Sequence, residues 1–165
     1  EDELVTTAIL LLNAGHEATV HAIGNAAKAF LELGLRDGIG EGHVEEALRY
    51  DAPLHLFTRY ALEDLDYAGL RLKKGEVVGL LLGAANRDPA RFRDPDRFDP
   101  GRDPNPQVSF GAGIHFCIGA PLARLEMQIA LPLLFKRLPR LALAETPRYR
   151  NAYHFHGLER LMVTY

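Results

Sequence analysis

Apolar residues recur at helical spacing from Asp2 to about Leu35: Leu4, Ala8, Leu11 and Leu12, then Ile23, Ala26, Ala27 and Phe30, with polar residues between them. A repeat of three to four residues gathers such side chains on one face, so the pattern predicts one long helix, largely buried. The stretch GLRDGIGEG, 34–42, carries four glycines and ends it, because glycine has the most conformational freedom to lose in a helix. HVEEALRYDAP predicts a short helix stopped before Pro53. Beyond Pro53 the pattern shortens to strand-like pieces, LHLFTRYAL, AGLRL and EVVGLLL, separated by turn residues that include Lys74 and Gly75. A small antiparallel sheet is the expected outcome. The segment 86–106 packs five of the ten prolines into 21 residues, and a run so poor in amide donors reads as an ordered meander without regular elements. The helical period returns from Ile118 to about Leu138 through Leu122, Leu125, Ile129, Leu133 and Leu134. Short strand-like runs around RLALAE, YHFHG and RLMVTY close the chain, and there is no internal repeat.

Composition narrows the class. With 165 residues and 47 % apolar content the chain is long enough for one domain with a core. The net charge of -3 comes from 19 basic and 22 acidic residues that alternate in sign, which argues against a nucleic-acid surface. Apolar runs such as Ala8 to Leu12 fall far short of the about 20 residues that span a bilayer, and there is no signal peptide, so a soluble chain without a membrane partner is expected. The sequence starts at Glu1 inside a helical pattern with neither Met nor cap, as a piece of a longer chain would. Cys117 is the single cysteine, cannot form an intramolecular disulfide, and points to a reducing cytoplasm.

That cysteine lies in FGAGIHFCIG, residues 110–119, among three glycines and a histidine. It stands where a glycine-rich loop turns into the helix expected near Ile118, so helix amides and the positive end of the dipole favour a thiolate. A cysteine nucleophile needs a base, and His115 is near, but a flat glycine-lined loop offers no oxyanion pocket. Gly111, Gly113 and Gly119 instead let the backbone lie close against a broad planar ligand, a demand that a porphyrin meets. A competing metal reading comes from GHEATVH, which resembles a zinc-protease helix through His16, Glu17 and His21. The five-residue spacing of the two histidines puts them about 140° apart on a helix, so they cannot share an ion. His154 and His156 could serve as alternate-strand ligands, but the sequence supplies no clear third, which weighs against a zinc hydrolase.

FGAGIHFCIGAPLAR resembles the haem-binding signature of the cytochrome P450 family, matching it at Phe110, Gly113, His115, Cys117 and Gly119. EALR resembles that family's Glu-x-x-Arg helix at Glu46 and Arg49; AGHEAT, 14–19, resembles the oxygen-binding kink of its long central helix; and 86–102 resembles its bacterial meander. The resemblance covers essentially the whole chain and implies the C-terminal portion of a soluble bacterial-type member: a single partial domain over 1–165, mainly α with a small antiparallel β part. It departs from the family at GLRDGIGEG, where another short helix is usual.

The resemblance also implies roles. The cofactor is haem b, iron protoporphyrin IX, with Cys117 as axial thiolate to the iron, where it pushes electron density onto the metal and favours O–O cleavage. Phe110 packs beside the ligand; Ala14, Gly111, Gly113 and Gly119 lie against the macrocycle; His115 and Arg59 take the propionates. Glu46 and Arg49 form a buried structural pair joined by a meander arginine, Arg97, with Arg102 as runner-up. Gly15, Glu17 and Ala18 fall on the proton-delivery stretch, where Ala18 replaces a customary hydroxyl residue and leaves the relay to water or to a substrate hydroxyl. Partners implied are O2, a small apolar organic substrate lined by 10–13, 54–57 and 153–156, and a ferredoxin or other electron donor. Arg91, Arg93, Arg97 and Arg102, or Arg124 and Lys136, could receive that donor, although Asp94, Asp96 and Asp99 favour a self-paired surface. The implied function is a haem-thiolate monooxygenase, with the isolated chain inactive; the alternative is a haem-binding remnant without turnover.

Overall fold

A computed structural model describes residues 1–165. The first helix, α1, spans Asp2–Leu33 and stops at Gly34, whose φ of 70° is left-handed. The Gly34 and Leu35 amides turn back to the carbonyls of Leu31 and Phe30, capping the last turn as the glycine-rich stretch predicts. Helix α2 covers Glu41–Tyr50, and the four-residue α3, Leu82–Ala85, falls where a strand end is expected. Helix α4 spans Ala120–Arg137, with Pro121 in the first turn, where its missing amide costs nothing, and Lys136 and Arg137 at the negative end of the dipole. None of these helices is long and apolar enough to cross a membrane.

The β part is a correction to the expected single sheet. Four separate antiparallel ribbons form: β1 (Leu56–Tyr60) with β4 (Val77–Leu81), β2 (Leu65–Tyr67) with β3 (Leu70–Leu72), β5 (Ala142–Leu143) with β8 (Val163–Thr164), and β6 (Arg148–Tyr149) with β7 (Leu158–Arg160). β2 escapes the sequence pattern because it is three residues long with Asp66 at its centre; Ala68 and Gly69, both at positive φ, make the two-residue turn to β3. Residues 86–106 hold no regular element, as their prolines require.

The core lies where α1, α2 and α4 meet. Ala22, Ala26, Ala27 and Phe30 of α1 pack with Val44, Ala47 and Leu48 of α2 and with Met127, Leu131 and Phe135 of α4. Phe30 is fully buried and meets the rings of Phe98 and Phe135 at centroid distances of 5.8 and 6.1 Å. The second correction concerns the other half of α1. Residues 1–17 are all exposed, Leu4 and Leu12 by more than 70 %, so the helix is buried only in its second half. Ile9 to Leu12 are consecutive, so they circle the helix and do not keep to one stripe, and all four are more than half exposed.

Candidate functional site

Gly111 and Gly113 both sit at φ 72°, a left-handed conformation that side chains with a Cβ resist, and they fold the cysteine loop back on itself. The Cys117 amide donates to the Phe110 carbonyl at 3.0 Å, closing the loop, and a short 3₁₀ turn, Gly113–His115, lies inside it. The Cys117 carbonyl accepts from the Ala120 amide at 3.2 Å, which joins the loop to α4; the helix starts three residues after the cysteine, slightly later than its sequence pattern suggests. A methyl group added at Gly119 would stand 3.8 Å from the Cys117 sulfur, so the thiol lies over the helix start. Cys117 is a free, exposed cysteine. Around it stand Ile114, 97 % exposed, Ile118, 90 % exposed, and Phe116, half exposed. A methyl at Gly113 would touch no atom of the chain.

Behind the loop the chain is closed. Phe110 lies under the Arg124 guanidinium at 4.5 Å, and Arg124 pairs with Glu45 of α2, whose carboxylate raises the arginine's already high pKa through the hydrogen bond between them. Glu46 and Arg49 are buried completely and paired through two hydrogen bonds of 2.8 Å. The other Arg49 hydrogens go to the carbonyls of Asn86, Pro95 and Arg97, so all five donors are used. Here the expectation for Arg97 is corrected. The arginine that reaches Glu46 is Arg102, with Nε 3.2 and 3.3 Å from the two carboxylate oxygens; Arg97 gives only its backbone carbonyl and its side chain is exposed. A link that sequence reading missed runs through Asn86, fully buried, which donates to Ser109 and accepts from the Val108 amide. Ser109 in turn donates to the Leu48 carbonyl, so the meander, α2 and the cysteine loop are one hydrogen-bonded unit.

The remaining expected residues are more dispersed. Ala14, Gly15 and Glu17 lie on the exposed half of α1, which runs without a break through 14–19, and Ala18 is half-buried. Glu17 approaches His21, with Oε1 3.7 Å from a buried Nε2 that has no hydrogen-bond partner. Arg59 is exposed on β1, donates to the Thr58 carbonyl at 2.9 Å, and makes no hydrogen bond with His115 or the cysteine loop. The segments 54–57 and 153–156 do come together, through a bridge of Leu54 to Phe155 and the edge-on rings of Phe57 and His154. His16 is exposed while His21 is buried, so the zinc-protease reading has no geometry behind it. His156 does find two partners in the fold, Asp51 and His55, but His154 is not in that cluster.

The family emerges from comparison. A family model described as cytochrome P450 matches residues 41–146. A biotin biosynthesis cytochrome P450 from Bacillus subtilis (strain 168) is 49 % identical, over 100 % of this chain and 44 % of its own length. A vitamin D(3) 25-hydroxylase from Pseudonocardia autotrophica is 44 % identical over 99 % of this chain and 43 % of its own length. The crystal structure of P450BioI, in complex with an acyl carrier protein ligated with hexadec-9Z-enoic acid, superposes with a TM-score of 0.89 at 49 % identity, covering 95 % of this chain and 43 % of that one. The chain belongs to the cytochrome P450 family and has its fold. It spans less than half the length of these relatives. The cysteine loop fits the family's haem: a sulfur donor over a helix start, a glycine at 113 whose added methyl would meet no atom of the chain, and apolar side chains at 114 and 118 that stay exposed.

Proposed function

We propose that this chain supplies the thiolate side of a haem-dependent monooxygenase that oxidises an apolar organic substrate. The observation that carries the reading is the exposed Cys117 on its closed glycine loop, flanked in sequence by Ile114 and Ile118, both almost fully exposed, and by the half-exposed Phe116. Cys117 would hold the iron, and His115 and Arg59 would offer positive or N–H donor groups to the haem carboxylates. When bound, the haem supplies an iron centre for activating O2 with two electrons from a ferredoxin or similar donor. The cytoplasm is the compartment in which the free thiol stays reduced.

Proton delivery falls to α1. Glu17 carries the carboxyl, and His21 Nε2, buried 3.7 Å from it, can hold or return a proton at that atom. Ala18 supplies neither donor nor acceptor, so a water or a substrate hydroxyl completes the path. A long-chain acyl substrate is the first class to try, because the P450BioI structure holds an acyl carrier protein ligated with hexadec-9Z-enoic acid. By itself the chain leaves the first half of α1 and the cysteine loop open to water, which is incompatible with guarding a reactive oxygen species; turnover therefore needs a cover over this face, and the isolated chain is inactive.

The test is the absorption spectrum of the reduced, carbon-monoxide-bound protein after haem reconstitution. Thiolate ligation moves the main band far to the red of a histidine-ligated haem, and Cys117→Ser is expected to abolish that band. A red-shifted band that survives Cys117→Ser would remove the proposal, and product release by the isolated chain at the rate of a longer form would remove its second part.

A further inference from the structure

His21, one turn along α1 from Glu17, is 6 % exposed, and its Nε2 is the one buried side-chain nitrogen of the chain without a hydrogen-bond partner. A buried polar atom left unpaired is costly, so this one calls for a partner that reaches it. Residues four apart on a helix lie about 40° apart around it, one above the other. Glu17 therefore shares the face of His21, and its Oε1 stands 3.7 Å from Nε2, just beyond hydrogen-bond range. Glu17 is 49 % exposed, and neither residue has another ion-pair partner. From this geometry we infer that His21 is the positioning residue of the proton-delivery stretch: with its hydrogen on Nε2 it draws the Glu17 carboxyl inward and holds it, which Ala18, lacking a donor, cannot do. The inference rests on the reading of Glu17 as the carboxyl that delivers protons, and adds what fixes its place.

The imidazole is itself held from the C-terminal segment. A methyl added at Gly157 would stand 1.9 Å from Nδ1 and 2.4 Å from each of the two ring carbons bonded to it. Distances so short and so even put Gly157 against the flat of the ring, an approach that only glycine allows. The Phe155 ring meets His21 at 5.9 Å, Phe155 meets His154 edge-on at 5.0 Å, and His154 meets Phe57 at 5.5 Å. A row of rings thus joins 54–57 and 153–156, the segments proposed to line the substrate, to His21. One turn further along α1, Asn25 donates to the carbonyls of Asp51 and His156 at 3.2 and 2.9 Å, which fixes the helix against the same segment.

Of the two partners the movable one is therefore Glu17. The imidazole cannot tilt toward Gly157, whereas the carboxyl lies in solvent and closes the gap by turning about its own side-chain bonds. A carboxylate has two acceptor oxygens, so one can accept from His21 while the other serves the water or substrate hydroxyl that completes the path. Phe155 and Gly157, which press on the ring, carry no charge, and Glu17 is the charged group that His21 meets.

The first readout of the experiment needs no haem. In the chain labelled with 15N and 13C, Glu17→Ala should move the ring-nitrogen resonances of His21, and His21→Leu should move the carboxyl-carbon resonance of Glu17. His21→Gln, whose amide nitrogen can stand where Nε2 stands, should bring that carbon back towards its original position. In the longer, haem-loaded form, His21→Leu should lower the product formed per electron pair by about tenfold with KM unchanged, and His21→Gln should recover it to within about twofold. Ring nitrogens unmoved by Glu17→Ala would overturn the inference, as would equal losses in His21→Leu and His21→Gln. Glu17 is exposed and packs against nothing in the core, so its replacement keeps the question answerable should a His21 variant misfold. Failure of the haem reading shows separately, as a bound haem without the red-shifted band, while the resonances report on Glu17 and His21 alone.

Discussion

The two halves of α1 are both rich in apolar residues and meet opposite fates. From His21 onward, Ala22, Ala26, Ala27 and Phe30 disappear into a core shared with α2 and α4, whereas Leu4, Leu10, Leu11 and Leu12 stay in solvent. The cysteine loop belongs with the open half, since Ile114 and Ile118 are 97 % and 90 % exposed. The Glu46–Arg49 unit belongs with the closed half, with every donor of Arg49 satisfied inside the protein. Apolar surface this large is rare on a chain that works alone. The closed half accounts for the stability of the chain, and the open half marks where other matter is expected to bind.

The sharpest way to break this comparison is at Arg49. Replacing it with Met would leave Glu46 with Arg102 as its one cationic partner and the carbonyls of Asn86, Pro95 and Arg97 short of a donor in the interior, so a loss of about 3–5 kcal/mol is expected in urea denaturation. A loss under about 1 kcal/mol would show that the unit is not closed as described. A matched pair of substitutions comes next in size. Leu131→Ala, at a fully buried position, should cost about 2–5 kcal/mol, and Leu12→Ala, at a position 73 % exposed, less than about 0.5. Equal costs would mean that the outer half of α1 is packed after all. The smallest contrast lies in the meander: Arg102→Met should lower stability by about 1–3 kcal/mol, because Glu46 loses its second cationic partner, while Arg97→Met should change it by less than about 0.5. Should Arg97→Met prove the more damaging, the assignment of Arg102 to Glu46 fails.

Legibility followed the range of the interactions. The cysteine loop could be read because its parts lie within ten residues, so the glycines, the thiol and the following helix constrain one another locally. The Glu-x-x-Arg pair was equally plain, since a three-residue spacing puts both side chains on one face of any helix. The choice between Arg97 and Arg102 was not, because a proline-rich meander has no period from which a direction can be taken. β2 and α3 were missed for a related reason, being three and four residues long and therefore too short to show a pattern.

By itself, then, the sequence determined the long helix, its glycine stop, the short pairing helix, the meander and the thiol in its loop, all of which follow from residues near one another in the chain. The tertiary structure alone decided which half of α1 is buried, since burial depends on what packs against a face and the face looks the same either way. It also decided that Arg102 meets Glu46. Last, it brought Asp51 and His55 to His156 across more than a hundred residues, through Asn25 and a bridge from Leu54 to Phe155. No spacing rule reaches that far: the contact exists only once the backbone has closed, and closure is a property of the whole chain.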